Sequence, residues 1–188
     1  LKGAQLGFTT AAIGRVLFML DVERKSVLYL LPTQRPDASE FSATKLQEVI
    51  DNSIEIAAMF TDVSSVGLKR AGSASLFVRG ANSRNALKSI SVGAIVFDEY
   101  DEMPPENIPL AEERTSGQFS SEIWRLSTPT LPGIGIDRDF QETTKEHFYF
   151  PCPFGCTINT TGRKDTDTTR ASSGTTARQI KFSPDDLV

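Results

Sequence analysis

Apolar residues recur at helical spacing in TTAAIGRVLFML, residues 9–20, where Ala12, Ile13, Val16, Leu17 and Leu20 fall on one side. That periodicity predicts a helix. SVLYLLP, residues 26–32, is instead a continuous apolar run ended by Pro32, the pattern of a strand buried on both faces. DASEFSATKLQEVIDNS, residues 37–53, again reads as a helix, with Phe41, Leu46 and Ile50 together. Short strand signals occupy 66–82, clearest in SLFVRGA. VGAIVF, residues 92–97, is a second buried strand and runs directly into DEYDEMPPEN. A helix around 110–120, a strand EIWRLST at 122–128 and the segment HFYFPCP complete the patterned region. Strands alternating with helices predict an α/β fold, with a mainly parallel sheet and helices on both faces.

The pattern stops near residue 157. TINTTGRKDTDTTRASSGTTAR has Ile158 as its one large apolar residue. Such a stretch buries too little surface to offset its ordering entropy. The expected division is one domain over 1–156 and a mobile, low-complexity tail over 157–188. No internal repeat is visible.

Composition narrows the function classes. The 188 residues suit one domain, and 39% hydrophobic with 23% charged residues suits a soluble core. A net charge of −4 argues against coating DNA through the overall field, while leaving local basic contacts open. No apolar run approaches the ~18–20 residues of a membrane span. The opening residues do not have the basic, apolar, small-residue order expected of a signal peptide. Two cysteines make no disulfide framework, which favours a reducing cytoplasm.

Three stretches carry candidate chemistry. The opening LKGAQLGFTT has Gly7 and Thr9 where a G-x-x-x-x-G-K-[ST] phosphate loop wants them. Phe8 holds the usual lysine slot, and Lys2 stands where the first glycine belongs. A glycine turn before a helix aims backbone N–H groups at phosphate oxygens. Thr9 would place a hydroxyl on Mg²⁺ and Lys2 would neutralise phosphate charge. Standing alone, the stretch reads more readily as an ordinary turn before a core helix. AIVFDEYDEMP ends a buried strand in Asp98 and Glu99. Beside a nucleotide, the first carboxylate holds the Mg²⁺ shell and the second orients and deprotonates the attacking water. Most of the acidic residues of 98–113 are read as solvated charge, with Asp98 and Glu99 as the exceptions. LSTPT, residues 126–130, reads by itself as a strand cap ended by Pro129, and beside a nucleotide site Ser127 and Thr128 would link that site to a moving element.

In this order the motifs KGAQLGFTT, LYLLPT, GANSRNALKS, VFDEYDEMP, LSTPTLPGIGI and FYFPCP resemble the large subunit of tailed-phage DNA-packaging terminases, lambda-like branch, over about residues 1–156. In that family the phosphate loop commonly carries its lysine at the front. The resemblance implies an ATPase using ATP and Mg²⁺, with Lys2, Gly3, Ala4, Gln5, Gly7, Thr9 and Thr10 binding phosphate. Thr9 and Asp98 would hold Mg²⁺, and Glu99 would be the catalytic carboxylate. Ser127 and Thr128, with Pro129, would couple hydrolysis to DNA movement. A neighbouring subunit of a ring would supply an arginine, with Arg84, Arg79 and Arg114 as candidates. The implied partners are double-stranded DNA, a small terminase subunit and the portal of the procapsid, in the host cytoplasm and without a membrane.

The chain also departs from the family. PCPFGC replaces PCPHCG, so Cys152 and Cys156 are too few for a four-ligand zinc site. His147 reads as an exposed strand residue. On this reading a strand ahead of the phosphate loop is expected to be missing, and nothing in residues 157–188 resembles a nuclease domain. The expectation is a motor fragment without the nuclease, its missing strand leaving an apolar sheet edge. Two alternatives stay open: a helicase-like nucleic-acid-dependent ATPase, which D-E-x-D also fits, and a non-catalytic prophage remnant.

Overall fold

The computed structural model describes residues 7–60, 63–88, 90–146, 149–151 and 179–181. The first helix, α1 (Phe8–Asp21), buries Ala12, Ile13, Val16, Leu17, Met19 and Leu20, the face its periodicity marks. Strand β1 (Val27–Leu31) is buried at every position. After a turn at 34–38, in which Arg35 is extended, a helical stretch, α2 (39–51), contains a wide π turn at 42–46 and buries Phe41, Leu46 and Ile50. A short helix, α3 (Ile54–Met59), follows; the Ser53 hydroxyl caps it by accepting from the Ile56 N–H.

Strands β2 (Val63–Ser64), β3 (Leu68–Ala71) and β4 (Ala74–Gly80) come next. Then come β5 (Ala94–Asp98), helix α4 (Ile108–Glu112), β6 (Glu122–Leu126) and helix α5 (Gly135–Gln141). The sheet order is β2-β3-β4-β1-β5-β6. Neighbours from β4 to β6 are parallel, and β2 and β3 add an antiparallel margin. The mainly parallel α/β sheet expected from the sequence is therefore present.

Each face of the sheet has its own core. Tyr29, Leu31, Val78 and Val96 face α1 and α2. Leu28, Leu30, Ile95 and Phe97 face Leu87, Met103, Ile108 and Ala111. Side chains alternate along a strand, so one continuous apolar run serves both layers. Gly80 is fixed by this packing. A Cβ there would lie 2.0 Å from the Gln34 backbone nitrogen.

Arg15 ties α1 to the start of β6. Its Nε lies 3.0 Å from Glu122 Oε1 and its guanidinium also pairs with Glu23 at 2.6 Å. Both carboxyl groups are held below the usual carboxylate range. For Glu122 the leading cause is the Arg15 hydrogen bond; for Glu23 it is the Lys25 hydrogen bond, followed by Arg15.

The helix expected around 110–120 is shorter, ending at Glu112 with one tighter turn at 113–115. The reason is local. Thr115 and Ser116 turn their hydroxyls back onto the carbonyls of Glu112 and Glu113, both at 2.8 Å. This competes with further helix, and Gly117 follows.

The chain divides into two units, 1–138 and 139–188. In the second, β7 (Tyr149–Pro151) pairs antiparallel with β8 (Gln179–Lys181). Of the expected mobile tail over 157–188, residues 179–181 form β8, while 157–178 and 182–188 lie outside the described residues, as do His147, Cys152 and Cys156.

Candidate functional site

Parallel β1 and β5 end on the same side of the sheet, as Leu31 and Asp98. In open α/β sheets ligands bind beyond these carboxyl ends. Helix α1 starts beside them. Gly7 enters it in the left-handed conformation, with φ of 78°, and caps it with no side chain. Thr9, in the first turn, donates from Oγ1 to Asp98 Oδ2 at 3.0 Å. The Tyr29 hydroxyl donates to the same oxygen at 2.9 Å. Asp98 is buried, at 3% exposure, so these bonds replace water around its carboxylate. Burial, followed by the charge of Asp98, pushes the Tyr29 phenol up from its ordinary pKa.

This arrangement suits a nucleotide phosphate and its metal ion. Backbone N–H groups at the start of a 14-residue helix favour an anion. The hydroxyl of Thr9 and the carboxylate of Asp98 are hard oxygen donors, the kind Mg²⁺ takes. Both line a cavity of about 230 Å³, together with Phe41, Thr44 and Lys45 from α2, and Glu99. Thr10 is exposed in the first turn of α1. Lys2, Gly3, Ala4 and Gln5 lie outside the described residues.

Glu99 follows the strand with φ of 60° and ψ of 50°. Left-handed backbone is uncommon for a residue with a Cβ, and such geometry concentrates at functional positions. Here it ends the strand and leaves Glu99 half-buried at the cavity.

Asp101, expected as solvated charge, is instead bonded to the protein. Its Oδ2 accepts from the backbone N–H and the hydroxyl of Thr130, at 3.0 and 3.1 Å. Its Oδ1 accepts from the Ile136 N–H at 2.7 Å. Its own N–H donates to the buried Ser127 hydroxyl at 3.1 Å, and that hydroxyl donates to the Thr128 carbonyl. Asp98-Glu99 and Ser127-Thr128 are thus physically joined through Asp101. Glu112 also differs from expectation, being paired with Arg125. The D-E-x-D pattern was the available signal for Asp101. Nothing in an apolar strand marked the Tyr29 hydroxyl.

The three arginines lie apart. Arg79 turns to the carbonyls of Gly67 and Val78. Arg84 is exposed in a short turn after β4, its Nε 3.2 Å from Asn107 Oδ1. Arg114 sits at the opposite end of the sheet, where its carbonyl accepts from the Val92 N–H just before β5.

The family model described as phage terminase large subunit gpA, ATPase domain, matches residues 1–162. Among solved structures, the large terminase ATPase domain of Thermus phage P74-26 is similar, with a TM-score of 0.55 and 16% identity. That match covers 73% of this chain and 61% of that one. An arginine-to-alanine mutant of the same domain gives a TM-score of 0.53 at 16% identity, covering 68% and 58%. This chain therefore spans about three fifths of the length of those structures. No curated protein matches by sequence. The chain belongs to the phage terminase large subunit family, as its gpA-type ATPase domain.

Proposed function

We propose that this chain is the ATP-hydrolysing motor part of a terminase that drives double-stranded DNA into a procapsid. The observation that carries the reading is the Thr9–Asp98 hydrogen bond at the N-terminus of α1, with Glu99 next along the chain. Lys2 and the glycine turn, with Gly3, Ala4, Gln5 and Gly7, would bind phosphate. Thr9 and Asp98 would hold Mg²⁺, which supplies charge neutralisation when bound. Glu99 orients the attacking water and accepts its proton. Arg84 is the favoured contribution to a neighbouring subunit's site, because it is exposed and follows β4 at the carboxyl end of the sheet. Ser127 and Thr128, through Asp101, pass the state of the site to the segment after β6.

Ring assembly, a small terminase subunit, the portal and a cytoplasmic setting in the host belong to the same proposal. The family match favours it over a helicase-like ATPase. Calorimetry of MgATP binding, with wild type beside Lys2→Ala, is the test. Wild-type binding that is lost in the variant supports the front-lysine loop. A folded wild type that binds no nucleotide overturns the motor reading and leaves a non-catalytic remnant. In a binding-competent chain, Glu99→Gln should retain affinity and lose about 10²–10⁴-fold in turnover.

A further inference from the structure

We propose that Tyr29 is a positioning residue, whose hydroxyl sets the Asp98 carboxylate for its metal ion. The inference rests on reading Thr9 and Asp98 as the Mg²⁺-holding pair.

The register of the sheet brings the groups together. Tyr29 on β1 is paired with Val96 on β5. Asp98 lies two residues beyond Val96 and therefore on the same face. This is the face of α1 and α2, where Tyr29 is 1% exposed and stacks on Phe41 with ring centroids 4.5 Å apart. The stack is apolar packing on the ring, and the position of Tyr29 on β1 opposite Val96 sets the direction of the hydroxyl. It reaches Asp98 Oδ2 at 2.9 Å, from inside the core. Thr9 reaches the same oxygen at 3.0 Å, from the start of α1.

Two donors from different elements meeting on one oxygen restrict rotation of the carboxylate. They also stabilise it as an anion where water is excluded. A phenylalanine would fill the same apolar space. The hydroxyl is thus the part of Tyr29 that packing does not require, and it meets the carboxylate assigned to the metal. Groups that orient a metal ligand commonly set affinity for the ion, by about 10–100-fold.

The test is ADP binding to the full chain, with and without Mg²⁺, in wild type, Tyr29→Phe and Phe41→Leu. The readout is the ratio of the two affinities, alongside each thermal midpoint. In Tyr29→Phe the strengthening by Mg²⁺ should fall about 10-fold or more, with metal-free ADP affinity nearly unchanged. Phe41→Leu should lower the midpoint and keep most of the Mg²⁺ effect. An unchanged Mg²⁺ effect in Tyr29→Phe overturns the proposal. So does an equal loss in Phe41→Leu, which would assign the effect to packing, or a Tyr29→Phe chain that does not fold. A folded wild type that binds no ADP in either condition is a different result, since it removes the nucleotide-binding reading itself.

Discussion

Asp101 holds Thr130 twice, by its backbone N–H at 3.0 Å and by its hydroxyl at 3.1 Å. With the Ile136 N–H on the other oxygen, one carboxylate ties down the segment that leaves β6. Gly135 lies so close that a Cβ there would stand 2.4 Å from Asp101 Oδ1. Asp101→Ala should cost about 1.5–3 kcal/mol, the range for hydrogen bonds to a charged group. It should also speed protease cleavage within 128–136. Urea unfolding and timed proteolysis check both, and wild-type values in both would return Asp101 to the class of solvated charges.

Acid should weaken the tie between α1 and β6. Glu122 and Glu23 both have folded pKa values depressed from 4.5. Their contribution is complete above the unfolded value and is lost as pH falls through the lower folded values. The thermal midpoint should therefore drop below about pH 4.5, and less steeply in Arg15→Met than in wild type. Parallel curves for the two proteins between pH 5 and 3 would show that Arg15 does not link them.

Two glycines should respond in opposite directions. Gly14 is exposed within α1, with nothing within 4 Å of an added Cβ. Gly14→Ala should stabilise by about 0.5–1 kcal/mol through helix propensity. Gly80→Ala forces a Cβ against the Thr33–Gln34 backbone, at 2.4 and 2.0 Å. It should destabilise by about 3 kcal/mol or more, at the upper end of overpacking costs. Chemical denaturation of the two variants gives both signs.

Periodicity made the scaffold legible, since each of its signals was local. Residues 26–32 and 92–97 read as strands, which the structure bounds at Val27–Leu31 and Ala94–Asp98, because both faces of a central parallel strand are buried. Thr9, Asp98 and Glu99 could be singled out because each stands at the end of a patterned element. Asp101 was misread because its partners lie 26 to 35 residues downstream. Within a run of carboxylates, sequence alone does not separate a bonded one from a hydrated one. Tyr29 was passed over because its ring satisfies the apolar pattern while its hydroxyl serves a residue on another strand. The antiparallel margin was unspecified for a similar reason, because strand direction depends on the connection and not on side-chain alternation.

The oxygen shared by Thr9 and Tyr29 has a consequence for the order in which the protein is made. Its two donors are 89 and 69 residues away along the chain. A nascent polypeptide therefore lacks this constellation until β5 has been synthesised and docked beside β1. Contacts of such separation come at a high loop-closure cost and form with the global fold. A ligand that grips Thr9 and Asp98 together thus distinguishes a chain with β5 docked from one without it. It would stabilise chains with β5 docked by mass action and leave chains that lack β5 untouched.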